Sequence, residues 1–177
     1  MKNMKYSSLL FLCFFLFGCG NSQKFMLEYL NEDIPIVYEV TLKFKFIPPY
    51  CGGAAPNEEM EAERLKGLPW SSQVLYMNKN NTDSYESFVT DQYGYLRLAL
   101  LKGKYCIKKP YKIVKSKVEE FKKEGWEFDE ECLLQEMEKC DFSFEVTKDT
   151  TIMYEVRGRC HYNGPIPCVL NPGPPPP

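Results

Sequence analysis

From Tyr38 to Phe46 the chain alternates without a break. Tyr38, Val40, Leu42, Phe44 and Phe46 fall on one side, and Glu39, Thr41, Lys43 and Lys45 on the other. A period of two with one charged face is the signature of a strand that covers a core on one side only. A helix would scatter these apolar residues around its axis. One half-buried sheet needs a second layer to cover it, which makes the chain mainly β. With 177 residues and 44% hydrophobic content, it is long and apolar enough for one folded domain and is not a disordered chain. Its formal net charge of −2 provides no basic excess to neutralise phosphates, so no nucleic-acid partner is expected.

The remaining elements follow from local signals. Pro48 and Pro49 end the first strand, and Tyr50 to Pro56 is a Gly-rich loop. Asn57 to Lys66 reads as an exposed helix, with Asn57 as cap, acids in the first turn, Arg64 and Lys66 in the last, and Gly67 after it. Gln73–Met77 and Ser84–Val89 read as strands. Asp91 and Gly94 make a tight turn, Leu96, Leu98 and Leu100 alternate inward, and Gly103 turns the chain back toward Tyr105, which reads as a hairpin. Lys115–Lys123 and Phe128–Lys139 read as helices interrupted at Gly125, forming an insertion near residues 113–140. Phe142, Phe144 and Val146 alternate, as do Ile152, Tyr154 and Val156, and these two segments are expected to form the last hairpin. A Cys- and Pro-rich tail, residues 159–177, ends in Pro174–Pro177, which favours an extended polyproline II rod.

The stretch from Thr90 to Ile107 resembles the T-D-x-x-G…L-x-x-G-x-Y signature of prealbumin-like sandwiches, which include carboxypeptidase regulatory-like and Cna-B-like domains. Thr90, Asp91, Gly94, Leu100, Gly103 and Tyr105 carry the match, and Lys102 stands where many such families have Pro. The resemblance implies an antiparallel prealbumin-like β-sandwich of about seven strands over residues 36–158. It marks a fold and implies no active site.

The N-terminus reads as an export signal. Lys2 and Lys5 precede the apolar run Leu9–Phe17, whose nine residues rise only about 14 Å as a helix, half of a ~30 Å hydrocarbon core. The sequence Leu16-Phe17-Gly18-Cys19 resembles the lipobox of bacterial lipoproteins, with Phe17 departing from the usual small residue. The resemblance implies cleavage after residue 18, lipidation of Cys19, a tether over residues 19–35, and a membrane partner through the acyl chains. Gly20 after the Cys implies the outer membrane, on a face the sequence leaves open. Cleavage removes Lys2 and Lys5 and no acid, leaving a net charge of −4. The Tyr-Cys-Gly-Gly-Ala loop, the Lys-Tyr-Cys strand and the Pro-rich end are similar to small lipoproteins of Bacteroidota. Asp149-Thr150-Thr151 resembles a short O-glycosylation motif of exported proteins from that group.

Six further thiols, Cys51, Cys106, Cys132, Cys140, Cys160 and Cys168, follow Cys19. An even count in an exported chain predicts disulfides, with 15 possible pairings. Cys132 and Cys140 sit eight residues apart on one predicted helix, about 12 Å along its axis, too far for a bridge. Cys160 and Cys168 close a short Pro/Gly loop and are the favoured pair. Cys51 and Cys106 lie at strand ends and can pair with each other or with the tail. No C-x-x-C is present and the only His is His161, so no metal or other cofactor is expected. The expected function is a lipid-anchored structural or binding module of the cell envelope without catalysis. The alternative is a thiol-dependent enzyme or metal carrier built on Cys51, Cys160 and His161. Trp70, Tyr76, Tyr85, Tyr93, Tyr95 and Trp126 are candidates for a protein- or carbohydrate-binding platform.

Overall fold

The computed structural model describes residues 35–170. The signal, Cys19, most of the tether and the terminal prolines lie outside them. Two four-stranded sheets face each other across one core. The strands are β1 (Val37–Ile47), β2 (Leu68–Pro69), β3 (Val74–Lys79), β4 (Glu86–Val89), β5 (Tyr95–Leu101), β6 (Gly103–Lys108), β7 (Phe142–Val146) and β8 (Thr150–Arg157). The described residues also form four short α-helices: α1 (Glu58–Lys66), α2 (Pro110–Ile113), α3 (Lys115–Lys123) and α4 (Glu130–Glu138). The protein is thus a mainly β sandwich with a helical insertion, and that insertion begins at Pro110, slightly before its expected start.

β1 is the centre of the first sheet. Leu42 pairs with Leu96 of β5 on one edge and with Ile152 of β8 on the other, and Phe46 is likewise flanked by Leu68 of β2 and Val156 of β8. The alternation read from the sequence holds: Val40, Leu42 and Phe44 are at most 1% exposed, and Phe44 stacks on Tyr154 and meets Phe142 edge-on. The second sheet runs β4-β3-β6-β7 and contributes Leu75, Met77, Tyr105, Ile107, Phe144 and Val146 to the same core. α1 has the expected cap, with Asn57 Oδ1 accepting from the Met60 amide at 2.8 Å, and buries none of its residues.

Two expected hairpins are not formed, and the sheets are not wholly antiparallel. β4 pairs only with β3, β5 pairs with β1, and β6 pairs with β3 and β7, so the chain changes sheets at the Asp91–Gly94 turn and again at Lys102. A single residue between β5 and β6 is too short for a hairpin loop, and it instead makes a corner across the sandwich. Tyr105 pins that corner by donating its hydroxyl hydrogen to the Leu101 carbonyl at 2.8 Å. β7 and β8 also part company: β7 joins β6, and β8 lies parallel to β1 from Val40↔Thr150 to Ile47↔Arg157. Asp149 fixes this by accepting from the Glu39 amide at 2.8 Å. Local alternation specifies that a segment is a strand and which face it buries. It does not specify the neighbouring strand.

The Thr-Asp-x-x-Gly segment is the first of these corners. Thr90 is 2% exposed; its hydroxyl donates to the Trp70 carbonyl at 2.7 Å and accepts from the Gln73 amide at 2.9 Å. Asp91 Oδ1 accepts from the amides of Tyr95 and Tyr93, and the Tyr95 bond first of all holds its carboxyl below the usual range. Gly94 has φ +77°, and a Cβ there would sit 2.5 Å from the Phe44 carbonyl oxygen, so no side chain fits. Replacing Thr90 with Val keeps its shape but strands two part-buried backbone partners, the Trp70 carbonyl and the Gln73 amide. Urea unfolding is expected to show a loss of about 1–3 kcal/mol, with Thr90→Ser recovering most of it.

Candidate functional site

At the end of the sandwich where β1, β6 and β8 finish, the insertion and the tail wall off a groove of about 860 Å³. That volume lies in the range of small-molecule sites. The sandwich supplies Phe46, Trp70 and Val156, the insertion supplies Tyr111, Phe121 and Trp126, and the tail supplies Arg159, His161 and Ile166.

Each wall is fixed in place. Trp70 follows the short strand β2; its amide donates to the Phe44 carbonyl at 3.1 Å, and its ring lies 5.9 Å from Phe44 and 6.4 Å from Phe142. Because Thr90 holds the Trp70 carbonyl, the corner motif also positions this aromatic side chain. Trp126, also on the groove, follows the α3 terminus, and the tail packs beside it: Leu170 donates to the Glu127 carbonyl and Asp129 to the Cys168 carbonyl. At Gly158 the backbone passes so close to Phe46 and Pro49 that a Cβ would lie 2.7 and 2.6 Å from their side chains. Only glycine permits that approach, which keeps Phe46 at the groove edge.

Three disulfides lock these walls together. Cys51–Cys160 ties the loop after β1 to the segment after β8, Cys106–Cys140 ties β6 to the segment between α4 and β7, and Cys132–Cys168 ties α4 to the tail. Their Cα separations are 5.6, 5.4 and 5.6 Å. Cys132 and Cys140 do not pair with each other, as the helix spacing required. The favoured Cys160–Cys168 bridge is not formed. Residues 161–163 make a 3₁₀ turn, and both cysteines instead face partners on other elements. The thiol–imidazole alternative fails for the same reason: Cys51 and Cys160 are bonded to each other, leaving His161 with no free thiol to activate among the described residues.

Beneath the groove lies a buried ion network that the sequence did not single out. The Lys112 side chain is 1% exposed, and its ammonium lies 2.8 Å from Glu136 Oε1 and 3.4 Å from Asp141 Oδ1 and donates to the Lys139 carbonyl at 3.1 Å. Lys108 donates to the Met137 carbonyl at 2.7 Å. The last turn of α4 contains no basic residue of its own, so these two lysines from outside the helix satisfy its C-terminal carbonyls. Burial works to raise the Glu136 carboxyl, but the hydrogen bond and charge of Lys112 outweigh it and hold the group below its usual value. Tyr111 is pushed strongly upward by burial and by the charges of Asp141 and Glu136, so its hydroxyl keeps its proton.

The predicted aromatic platform divides. Trp70 and Trp126 face the groove. Tyr93 and Tyr95 line a separate shallow depression with Lys43, Lys45 and Lys66, and Tyr95 carries the Lys43 and Arg97 cations over its ring at 5.3 and 4.9 Å. Tyr85 lies under Lys108, and Tyr76 is half-buried in β3. Arg157 and Arg159, which sequence reading passed over, flank the groove; the period-two pattern of β8 continued through Arg157, Arg159 and His161 was the signal available. Among the described residues no three His, Cys, Asp or Glu side chains are grouped to hold a metal ion, and no helix is long and apolar enough to cross a membrane.

No protein-family model matches the chain, and no curated protein matches it. Two solved structures are similar. The Bacillus anthracis TIE protein aligns at 15% identity and TM-score 0.34, over 68% of this chain and 17% of that one. A DUF3823 family protein from Parabacteroides merdae aligns at 12% identity and TM-score 0.30, over 69% of this chain and 46% of that one. This chain therefore spans less than half the length of either.

Removing one partner of the buried network leaves uncompensated charge. Lys112→Met is expected to cost about 3–5 kcal/mol in denaturant unfolding. Because the Glu136 carboxyl sits lower in the folded state than its ordinary 4.5, its contribution is full above that value and is lost as pH falls through the folded one. Glu136→Gln should therefore flatten the acid limb of a stability–pH curve measured from neutral to about pH 3.

Proposed function

We propose that the mature chain is a lipid-anchored module of a bacterial cell envelope, held at the outer membrane through Cys19, and that it binds a partner without transforming it. Complete bridging of the six described cysteines is the observation that carries this reading. Disulfides of this number belong to oxidising compartments, and they leave no described thiol for nucleophilic or soft-metal chemistry. Two of them, Cys51–Cys160 and Cys132–Cys168, lie next to groove-lining tail residues in sequence and hold that tail in place, as a rigid binding surface requires. The prealbumin-like signature and the lipobox-like Leu16–Cys19 support the same reading.

Two measurements test it. Fractionated cells should retain the wild-type protein in the membrane pellet, labelled by palmitate, and Cys19→Ala should move it to the soluble fraction. Thiol titration of the unreduced, denatured mature protein should find no reactive cysteine, and peptide mapping should return the three pairs above. Unchanged sedimentation of Cys19→Ala, or free thiols at Cys51 and Cys160, would overturn the reading.

A further inference from the structure

We propose that the groove binds a carboxylate-bearing oligosaccharide, with sugar rings laid against Trp70 and Trp126 and carboxylates met by Arg157 and Arg159. This rests on the binding-module reading and names its ligand class.

The charge arrangement comes first. The chain is acidic, yet two arginines, Arg157 and Arg159, line the groove outside any ion pair among the described residues. Of the three carboxylates on its walls, Glu136 and Asp141 are engaged by Lys112 and Glu124 stands at the end of α3, and the lining Lys117 is paired with Glu120. Neither arginine has a carboxylate within 4 Å among the described residues; at longer range Arg157 helps to lower the Glu61 and Glu155 carboxyls. Arg159 donates through Nε to the Gly164 carbonyl at 3.3 Å and through Nη2 to the Asn163 carbonyl at 2.6 Å, which fixes the guanidinium plane and leaves Nη1 uncommitted. The Cys51–Cys160 bridge anchors the next residue. A held, planar, always-charged fork is matched to carboxylate.

The aromatic pair favours a sugar over an acidic peptide. The chain has two tryptophans, and both face this groove. The flat C–H face of a pyranose packs on an indole, burying apolar area while its hydroxyls stay free to hydrogen-bond. An extended peptide would instead need a backbone ladder. The groove offers it little: Pro110, Pro165 and Pro167 have no amide hydrogen, and the Gly158 and Gly164 amides already donate to Ile47 and His161.

The test uses the two tryptophans as reporters, on purified protein with its disulfides intact. Tetragalacturonate should change their emission saturably and with salt sensitivity, while neutral maltotetraose should bind at least about tenfold more weakly. The double variant Arg157→Gln, Arg159→Gln should lose about tenfold or more in affinity with its thermal midpoint unchanged. If that variant is destabilised, calorimetric titration of Arg157→Gln alone supplies the same comparison. Equal binding of maltotetraose overturns the carboxylate assignment, and equal or tighter binding of a short poly-glutamate overturns the saccharide. No response to tetragalacturonate in fluorescence and calorimetry overturns the proposal outright. Membrane retention through Cys19 and the thiol count are separate readouts, so the envelope reading survives or fails independently of these results.

Discussion

The helical segment between Pro110 and Glu138 has too little apolar surface to hold itself against the sandwich. Its own core is small: Tyr111, Val118, Phe128, Leu133 and Ile166 are the buried members. The cross-links make up the deficit. Cys106–Cys140 clamps both ends of the insertion to the second sheet, Cys132–Cys168 joins its last helix to the tail, and Cys51–Cys160 returns the tail to the first sheet. Loops of 34, 36 and 109 residues are closed, each bridge restricting the unfolded chain by about 4–5 kcal/mol on the chain-entropy account. Covalent closure thus substitutes for a core that a segment of this size cannot build.

The same economy links the fold to the groove. Two of the corners where the chain changes sheets are held by hydrogen bonds from Thr90 and Tyr105 to backbone carbonyls. The first of these carbonyls belongs to Trp70. A residue that belongs to the architecture therefore sets the position of a groove aromatic, and the buried Lys112 network holds Glu136 and Asp141, two further lining residues. Rigidity at the groove is assembled from these pieces, and preorganised walls lower the ordering cost of any ligand that fits.

Much of the fold could be read in advance where the physics is local. The alternation over Tyr38–Phe46 fixed both the strand and its buried face, and Asn57 with the acids after it fixed the cap of α1. Strand pairing was not legible, because Thr90–Ile107 looks the same whether its turns reverse the chain within a sheet or carry it across the sandwich. Of the groove, the tryptophans were named as candidates, but nothing in sequence distance showed that residues 70 and 126 would share a cavity. Lys112 escaped notice because an isolated lysine in Tyr-Lys-Ile carries no sign of burial; Glu136 and Asp141, which make its burial tolerable, lie 24 and 29 positions away.

The bridge pattern also governs how the protein can mature. Numbered along the chain, the six bridged cysteines join first to fifth, second to fourth and third to sixth, so no two neighbours in sequence are partners. A polypeptide crossing a membrane N-terminus first presents Cys51 and then Cys106 to an oxidase, long before Cys160 emerges. Oxidation in order of appearance yields non-native links, and thiol–disulfide exchange must then reshuffle them on a timescale of seconds to hours. Exported in that way, as proposed above, this chain would need a compartment that isomerises disulfides as well as one that makes them.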